Sequence, residues 1–473
     1  MHSNPYLQGN FAPVATESSV TELRLTGQLP AGLSGTLCRV GPNPQFAPRD
    51  GDYHWFAGDG MLHAFDIRDG RVAYRNRWIR TPKWQLEHGA GQALFGTFGN
   101  PATSHPVTAG LCSGTANTNV LWHGGRLFAL EEAHQPFELD PVTLASKGHQ
   151  DFAGRLHAPF TAHPRTDPRS GALHFFAYAA EGAGTSTMLA GVLDPDCHLT
   201  RLESFSAPYA SMVHDFMLTE HYALYPVMPL TASITRAMHG EPMYAWSPGK
   251  GTHVGVMRRD GAERGIRWFE TGDCHAFHFM NAWEEGACIV AHAMQSERAP
   301  GWADEHGRMG DPARMVARLC RWRIDVRSGR IQRDYIDDLP AEFPRFDERY
   351  TGIPHRFGFY ACHVDALVRD PHHNLLFASL ARLDLVSGER TLYTLPDGDV
   401  ISEPVFAPAA VDAPEGQGWL LAVAWRAREN RSDLLIFDAQ DLAAGPVASA
   451  ALARRVPFGF HGNWHADPRR SEQ

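Results

Sequence analysis

The chain has 473 residues, of which 43% are hydrophobic, 20% charged and 11% aromatic. A chain of this size can bury a large core and would ordinarily divide into two or three domains, unless it is built from repeats. The formal net charge of -10 and the absence of a basic cluster argue against a nucleic-acid partner.

Seven cysteines are scattered singly along the chain with no CxxC spacing. An odd number of isolated cysteines favours reduced thiols, and therefore a cytoplasmic location, over a disulfide framework. The first residues show no basic segment followed by an apolar one, and no uncharged apolar run reaches about 18 residues. We therefore expect a chain that is neither exported by a visible signal nor membrane-spanning; the sequence indicates no oligomeric state.

Short alternating strands separated by turns recur along the whole chain. Residues 61–79 (MLHAFDIRDGRVAYRNRWI) predict a hairpin, because two alternating runs flank the turn pair Asp69-Gly70. A similar pattern of an apolar residue, an aspartate, a turn and a returning strand occurs seven times. Its aspartates are Asp66, Asp140, Asp194, Asp260, Asp325, Asp384 and Asp438.

These aspartates are 54 to 74 residues apart, which is the length of one propeller blade. Seven copies predict an all-β fold, a seven-bladed β-propeller; a sandwich or a mixed fold is the alternative, since Asp-rich turns occur in any β protein. We expect residues 1–20 to form a separable N-terminal arm and residues 21–473 a single propeller domain. Four segments rich in Gly, Pro, Met and aromatic residues lack the strand pattern and are predicted to be loops forming a dome over one face, where substrate enters: 82–120, 229–251, 292–316 and 340–360.

Four histidines lie at the edges of apolar strands at blade-like spacing. They are His163 (TAHP), His214 (MVHDF), His278 (AFHFM) and His461 (GFHG). The steps between them correspond to one, one and three blades, and residues one blade apart converge on the axis if the innermost strands line it. The pattern predicts a metal site, although any one of these histidines, taken alone, is more often an ordinary core or surface residue.

Glutamates occupy the two skipped blade positions. Glu342 and Glu403, with Glu132 as a third candidate, could accept the Nδ1–H of ligating histidines and turn Nε2 toward a metal. They could instead be surface carboxylates. His221, His275 and His465 compete as ligands, but His275 and His278 face opposite sides of a strand, so only one of those two can reach the axis.

These residues lie within motifs that carry a family resemblance over nearly the whole chain. The motifs are RVGPNP (39–44), HWFAGDG (54–60), FTAHP (160–164), VHDF (213–216), FHFMNAWEE (277–285), EFP (342–344), SEP (402–404) and GFHG (459–462). The sequence resembles the carotenoid cleavage oxygenase family, which includes apocarotenoid- and stilbene-cleaving enzymes.

The resemblance implies Fe(II) as the cofactor, held by His163, His214, His278 and His461. It further implies that Glu132 supports His214, that Glu342 supports His278 and that Glu403 supports His461. Four imidazoles leave two coordination positions for O2 beside a bound alkene. By the same resemblance, a conjugated double bond is cleaved to two carbonyl products without an organic cofactor.

The resemblance also bears on the substrate. Stilbene cleavers that act on 4-hydroxystilbenes carry a Tyr and a Lys for the phenol, and the matching positions here are Phe98 and Glu131, so a phenolate would meet no cation. Phe56, Phe98 and Trp84 would offer stacking surface unless they are core residues. This favours an apocarotenoid-like or other hydrophobic polyene, with stilbenoid or phenylpropanoid alkenes as the alternative.

Two functions of other classes remain open: a non-oxidative isomerase on the same scaffold, and a non-enzymatic binding propeller. Peripheral membrane contact through the loop face is also a candidate. The apolar run 225–234 (YPVMPLTASI) could provide it, unless that run packs inside a blade.

Overall fold

The computed structural model describes residues 4–49, 53–261, 265–364 and 376–467. Strands dominate this part of the chain. The first nineteen are β1 (Ser18–Val20), β2 (Arg24–Gly27), β3 (Gly35–Pro42), β4 (Gly60–Arg68), β5 (Arg71–Trp78), β6 (Asn119–His123), β7 (Arg126–Leu130), β8 (Phe137–Leu139), β9 (Ser146–His149), β10 (Arg165–Thr166), β11 (Leu173–Ala177), β12 (Thr187–Leu193), β13 (Leu199–Ser206), β14 (Met217–Leu218), β15 (Tyr222–Val227), β16 (Leu230–Ala232), β17 (Tyr244–Trp246), β18 (Thr252–Arg258) and β19 (Ile266–Thr271).

The remaining strands continue the pattern. They are β20 (His275–Glu285), β21 (Cys288–Ser296), β22 (Arg318–Asp325), β23 (Ile331–Tyr335), β24 (Ala341–Phe346), β25 (Phe357–Cys362), β26 (Ser379–Asp384), β27 (Arg390–Thr394), β28 (Val400–Ile401), β29 (Val405–Pro408), β30 (Gly418–Arg426), β31 (Arg431–Asp438), β32 (Pro446–Leu452) and β33 (Gly462–Ala466). The α-helices of the described ranges are α1 (Pro82–Ala90) and α2 (Ile234–Met238). None of the helices described is long and apolar enough to cross a membrane.

The strands form a seven-bladed β-propeller, as predicted. Blade 1 has the order β1-β5-β4-β3-β33, blades 2 and 3 contain β6–β9 and β10–β13, and blade 4 has the order β14-β15-β18-β19. Blades 5 and 6 contain β20–β23 and β24–β27, and blade 7 has the order β2-β32-β31-β30, with β28 and β29 both pairing with β30. The ribbon β16–β17 stands apart from the blades.

The ring closes through the last strand. β33 pairs antiparallel with β3, with Cys38 opposite Asn463, so the innermost strand of blade 1 comes from the far end of the chain. Strand β2 adds to the outer edge of blade 7. An amino-terminal strand thus belongs to blade 7 and the last strand belongs to blade 1, which joins these two blades.

The seven aspartates of the sequence pattern each lie at the hairpin between the third and fourth strands of a blade. In most of them the carboxylate caps the turn: Asp325 Oδ1 accepts hydrogen bonds from the backbone N–H groups of Arg327 and Ser328. Asp66 differs, because it lies inside β4 and accepts from the Thr36 hydroxyl at 2.7 Å. The prediction of one such hairpin per blade is confirmed.

Neighbouring blades pack through buried apolar side chains. Between blades 4 and 5, Leu224 belongs to the same buried cluster as Phe279 and Trp322, whose ring centroids are 5.4 Å apart. Burial of this kind contributes about 25 cal/mol per Å² of apolar area, which makes the blade ring a firm support for its inner strands.

The predicted loop segments differ from the structure in two places. Residues 292–296 belong to β21, and about half of segment 340–360 lies in β24 and β25. These strands are buried on both faces, so their apolar residues run on without the alternation that marks a half-exposed strand. Segment 82–120 does carry α1, and segment 229–251 carries the ribbon β16–β17 with α2.

The described part of the predicted arm, residues 4–20, packs on the propeller. Phe11 is buried among core residues, the Asn10 carbonyl accepts from the Phe458 N–H at 2.8 Å, and β1 pairs with β5. The expectation of a separable arm is therefore wrong for these residues, because an aromatic anchor and strand pairing tie them down. Residues 1–3 lie outside the described ranges.

Candidate metal centre

Each of the four histidines singled out by spacing lies at the innermost strand of a blade. His163 and His214 come shortly before β10 and β14, His278 lies within β20, and His461 immediately precedes β33. Blades 3, 4, 5 and 1 therefore each supply one imidazole to the propeller axis. Blades 6 and 7 supply Glu342, in β24, and Glu403, between β28 and β29.

The four imidazoles point their Nε2 atoms at one another. The Nε2 atoms of His163 and His214 are 2.9 Å apart, those of His214 and His278 are 3.1 Å apart, and those of His278 and His461 are 3.2 Å apart. All four potential ligand atoms lie within 4.8 Å of one another. Adjacent ligands of an octahedral ion with metal–nitrogen bonds of about 2.1 Å are about 3.0 Å apart, so the spacing fits a single cation.

Three of the four histidines hold a carboxylate on the other ring nitrogen. Nδ1 of His461 lies 2.9 Å from Glu403 Oε1, Nδ1 of His278 lies 2.5 Å from Glu342 Oε2, and Nδ1 of His214 bonds to Glu132. These are the pairs that the family resemblance implies. Among the described residues, no carboxylate pairs with His163.

This pattern of partners fixes the tautomers. A carboxylate can only accept, so Nδ1 carries the hydrogen in these three rings and Nε2 presents a lone pair. Two such Nε2 atoms cannot hydrogen-bond to each other, and lone pairs facing at about 3 Å repel. Their convergence is what a bound cation would stabilise, and imidazole suits Fe, Zn, Cu and Ni.

The electrostatics keep these ligands in the form that binds metal. Burial lowers the pKa of His163 well below its usual value, and the neighbouring imidazoles add to the effect. Burial likewise lowers the pKa of His461 to about 4, although Glu403 opposes it. Burial alone would raise the pKa of Glu403, but Arg345 and His461 lower it to about 2, so this carboxylate stays charged.

Glycines on both sides of His461 allow this segment to approach β3. A Cβ on Gly459 would lie 2.8 Å from the Val40 carbonyl oxygen, and one on Gly462 would lie 2.6 Å from the Cys38 carbonyl oxygen. No side chain can be added at either position without moving the backbone. The two glycines of the GFHG motif therefore allow the close backbone approach that positions the His461 imidazole.

Irregular strands place His278 of blade 5 and its partner Glu342 of blade 6. The register of β20 shifts between Ala276 and Phe279, around His278, and that of β24 shifts just after Glu342. In the second irregularity Phe343 has φ 56°, in the left-handed region that a non-glycine residue rarely adopts. Its ring lies over the site, 5.6 Å from that of His278.

The competing histidines lie elsewhere. His275 is buried against the Phe277 ring, with the two centroids 4.5 Å apart, and is not part of the four-histidine cluster. His221 pairs with Glu284, and His465 stacks on Trp122. The argument that only one of His275 and His278 reaches the axis agrees with this arrangement.

A cavity of about 640 Å³ opens above the four histidines. Its wall is rich in aromatic rings, and its edge includes His214, His278 and His461. Phe56 and Phe98, both predicted pocket residues, lie on this wall with their rings edge to face at 5.5 Å. A planar conjugated molecule matches this lining.

Trp84 does not line this cavity. It is buried in α1 and stacks on His88 at 4.4 Å, while Lys83 and Glu87 of the same helix face the cavity. Helical periodicity puts positions i and i+4 on one face and turns Trp84 away from it.

The apolar run 225–234 is also mostly buried. Tyr225, Val227 and Leu230 are each no more than 2% exposed, because they pack within blade 4 and the ribbon, whereas Ile234 is 43% exposed. Most of this run therefore packs inside the fold, which was the alternative to membrane contact.

Glu131, the fourth predicted pocket residue, does line the cavity, and it has a neighbour that sequence reasoning missed. Nδ1 of His134 lies 2.7 Å from Glu131 Oε1, and Thr115 donates to Glu131 through both its N–H and its hydroxyl. Burial lowers the pKa of His134, but Glu131 and Cys112 outweigh this and raise it to about 10. The expectation that a phenolate would meet no cation here stays a prediction, since the charge on His134 is already paired with Glu131.

Other residues of the site have no sequence signal of their own. The Tyr178 hydroxyl donates to Glu132 Oε2 at 2.7 Å, and Lys83 Nζ binds both Asp59 and Glu87 at 2.7 Å. Tyr178 lies 46 residues from its partner. Such pairings depend on blade geometry and cannot be read from local sequence.

Comparison with known proteins agrees with the fold and the site. The sequence profile of the family described as "Retinal pigment epithelial membrane protein" matches residues 11–466. The chain belongs to the carotenoid cleavage oxygenase family. Within this family, the chain is 36% identical to isoeugenol monooxygenase of Pseudomonas putida, over 98% of both chains. It is 34% identical to a carotenoid cleavage oxygenase of Mycobacterium tuberculosis, over 98% of this chain and 97% of that one.

A solved structure of a carotenoid cleavage oxygenase relative overlaps almost completely. The crystal structure of Pseudomonas brassicacearum lignostilbene dioxygenase superposes with a TM-score of 0.93 at 33% identity, covering 98% of this chain and 99% of that one. The family predicted from the motifs and the propeller predicted from the repeat are confirmed, and the relatives named here are oxygenases.

Proposed function

We propose that this protein is a non-haem Fe(II) oxygenase that cleaves a conjugated carbon–carbon double bond with O2 and releases two carbonyl products. The observation that carries the proposal is the convergence of four histidine Nε2 atoms at the floor of an aromatic-lined cavity. His163, His214, His278 and His461 would hold the iron. When bound, the iron supplies the site at which O2 is activated beside the alkene.

The remaining residues would position and shield the reaction. Glu132, Glu342 and Glu403 hold the Nδ1 hydrogens and so keep each imidazole oriented, while their negative charge offsets the uncompensated 2+ of an ion with four neutral ligands. The rings of Phe56, Phe98 and Phe343 would hold a planar substrate over the metal and exclude water.

Within this chemistry we favour an aryl alkene of the stilbenoid or phenylpropanoid class. Glu131 lies on an otherwise largely apolar wall, and its oxygens can accept a hydrogen bond from a phenolic O–H. Because the His134 charge is already paired with Glu131, the neutral phenol rather than the phenolate would bind. The names of the isoeugenol and lignostilbene relatives are in keeping with this class.

An apocarotenoid-like polyene is the second candidate. The aromatic character of the cavity, with Tyr244, Trp302 and Phe277 beside Phe56 and Phe98, suits a long conjugated chain. The name of the Mycobacterium relative is in keeping with this alternative.

The test is product analysis of iron-reconstituted protein under O2 with matched substrates. Isoeugenol, a 4-hydroxystilbene and its 4-methoxy analogue are compared with an apocarotenal, and ¹⁸O2 reports how many oxygen atoms enter the products. Paired carbonyl products, with Glu131→Gln raising KM for the hydroxylated alkene more than for the methoxy one, support the aryl-alkene proposal. Cleavage of the apocarotenal alone selects the second candidate, iron with a rearranged product indicates an isomerase, and failure to retain iron indicates a binding propeller.

Cytoplasmic location and peripheral membrane contact stay predictions. If the loop face does touch a membrane, the contact would rest on exposed apolar residues near the cavity, such as Val107, Leu111 and Ile234, rather than on the run from Tyr225 to Leu230.

A further inference from the structure

A chain of ionisable side chains extends from the cavity wall to a cysteine. Glu131 and His134 line the cavity, and the Cys112 Sγ lies 3.6 Å from Nε2 of His149. The rings of His134 and His149 are 6.2 Å apart. Cys112 is half-buried and lies between Leu111 and Ser113, both of which border the cavity.

The geometry makes His149 a base for this thiol. Nδ1 of His149 lies 3.0 Å from the Gln135 carbonyl oxygen, which can only accept, so Nδ1 carries the hydrogen. The Nε2 lone pair then faces Cys112 Sγ at 3.6 Å and is placed to take the thiol proton. A nucleophile next to a base that a third group orients is the arrangement of an activated nucleophile.

The charges around the thiol agree with this geometry. Partial burial raises the pKa of Cys112, but hydrogen bonds from His134, His149 and the Gly114 N–H outweigh it and lower the pKa to about 6. Glu131 in turn holds His134 in the cationic form. Burial lowers the pKa of His149, but Cys112 and the Gln135 carbonyl outweigh it and raise this pKa, so the imidazole is the better proton acceptor for the thiol.

We propose that Cys112 is a reactive thiol at the rim of the cavity and that α,β-unsaturated carbonyl compounds add to it covalently. In this step Sγ bonds to the β-carbon, the π electrons of the C=C bond move to form an enolate, and the α-carbon takes up the proton that His149 received from the thiol. The step requires no oxidant or reductant. It leaves an adduct beside Leu111 and Ser113, where it narrows the cavity entrance.

The choice of electrophile, though not the reactivity of Cys112, rests on the proposed function. An aromatic-lined cavity concentrates conjugated molecules. Cleavage of a polyene, the second candidate substrate, leaves carbonyl groups conjugated to the double bonds that remain, whereas cleavage of an aryl alkene gives aryl aldehydes, which do not accept a thiol in this way. With a polyene substrate, Cys112 would then be a point at which product accumulation inhibits the enzyme.

The chain provides its own reference cysteine. Cys288 is also only half-buried, but burial raises its pKa, and no histidine is among the groups acting on it. The other five cysteines are buried. Reactivity at Cys112 can therefore be compared with Cys288 in the same tube.

The first measurement is the pH profile of iodoacetamide labelling of the native protein, with the labelled peptides identified by mass spectrometry. We expect the labelling rate of Cys112 to reach half its maximum below pH 7, whereas an ordinary thiol has its midpoint at about 8.5. At pH 6 Cys112 should react about tenfold faster than Cys288, even though a thiolate of low pKa is intrinsically the weaker nucleophile. His149→Gln should move the midpoint upward. A midpoint near 8.5, or an unchanged profile in H149Q, would overturn the proposal.

The second measurement uses cinnamaldehyde as the conjugated carbonyl, on metal-free protein so that no turnover is involved. A mass adduct on Cys112 and not on Cys288 supports the proposal, and Cys112→Ser should prevent the adduct while leaving alkene cleavage by the iron-loaded protein unchanged. Iodoacetamide labelling without a cinnamaldehyde adduct would overturn the electrophile class. Neither labelling assay needs iron. The reactivity of Cys112 can therefore be confirmed or refuted independently of the proposed oxygenase activity.

Discussion

Replacing Glu403 by Gln tests how the buried charges hold the metal centre. Glu403 is 2% exposed and its carboxylate accepts from His461 Nδ1 at 2.9 Å and from the Gly462 N–H at 2.9 Å, one on each oxygen, with Arg345 3.3 Å away. A glutamine has one acceptor oxygen and one donor NH2, so one of these donors would face another donor. The substitution also removes the charge that Arg345 and Arg39 face.

The magnitude follows from the pKa. A carboxyl group lowered from 4.5 to about 2 is stabilised in its charged form by about 3 kcal/mol, at about 1.4 kcal/mol per unit. Since the folded pKa is depressed, this contribution is fully present above pH 4.5 and is lost as the pH falls toward 2. At pH 7 the free energy of unfolding of E403Q should therefore be about 3 kcal/mol lower than that of the wild type. At pH 3.5 this difference should be smaller by about 1 kcal/mol.

Urea unfolding of the metal-free proteins measures this difference, and iron titration of the same samples should show a 10- to 100-fold weaker affinity, on the order found for lost partners of ligating histidines. Glu297→Gln is the matched control, because its pair with Arg314 is exposed on both sides and should be worth less than about 1 kcal/mol. If E403Q loses no more stability than E297Q and binds iron equally well, the electrostatic reasoning is refuted.

Three further tests probe other parts of the site. His278→Ala should abolish retention of stoichiometric iron, measured by metal analysis after gel filtration, whereas His275→Gln should retain it; equal retention by both would remove His278 from the ligand set. Tyr178→Phe should weaken iron binding less than Glu132→Gln, because it removes only one hydrogen bond, worth about 1.5 to 3 kcal/mol, from a carboxylate that still holds its histidine. Lys83→Met should cost about 3 to 5 kcal/mol in unfolding experiments, since it leaves two carboxylates buried without a cation, and a loss below about 1 kcal/mol would contradict this.

The blade count and the ligand spacing were predictable because both follow from a repeat. An aspartate such as Asp325 caps its own turn, so the signal is local, and His163 and His214 are one blade apart because each blade begins with an axial strand. Periodicity of this kind survives even when individual blades differ in length.

What the sequence could not predict depends on contacts across the fold. The alternation rule missed β21 and β24, since both are buried on both faces, and it could not tell that Trp84 turns away from the cavity in α1. The pair of Glu131 and His134 was also missed, although the two residues are only three apart, because its significance comes from the cavity that they line.

The closure of blade 1 has a consequence for biosynthesis. His461 and the strand that completes the ring, β33, are adjacent in sequence, so the fourth imidazole and the strand that closes blade 1 become available at nearly the same moment. During synthesis, with the amino-terminal blades emerging first, the first three imidazoles would be exposed to the cell long before the fourth. Iron loading and ring closure would then be a single late event, and a chain released before residue 461 would offer an open, three-ligand site to whatever metal is at hand.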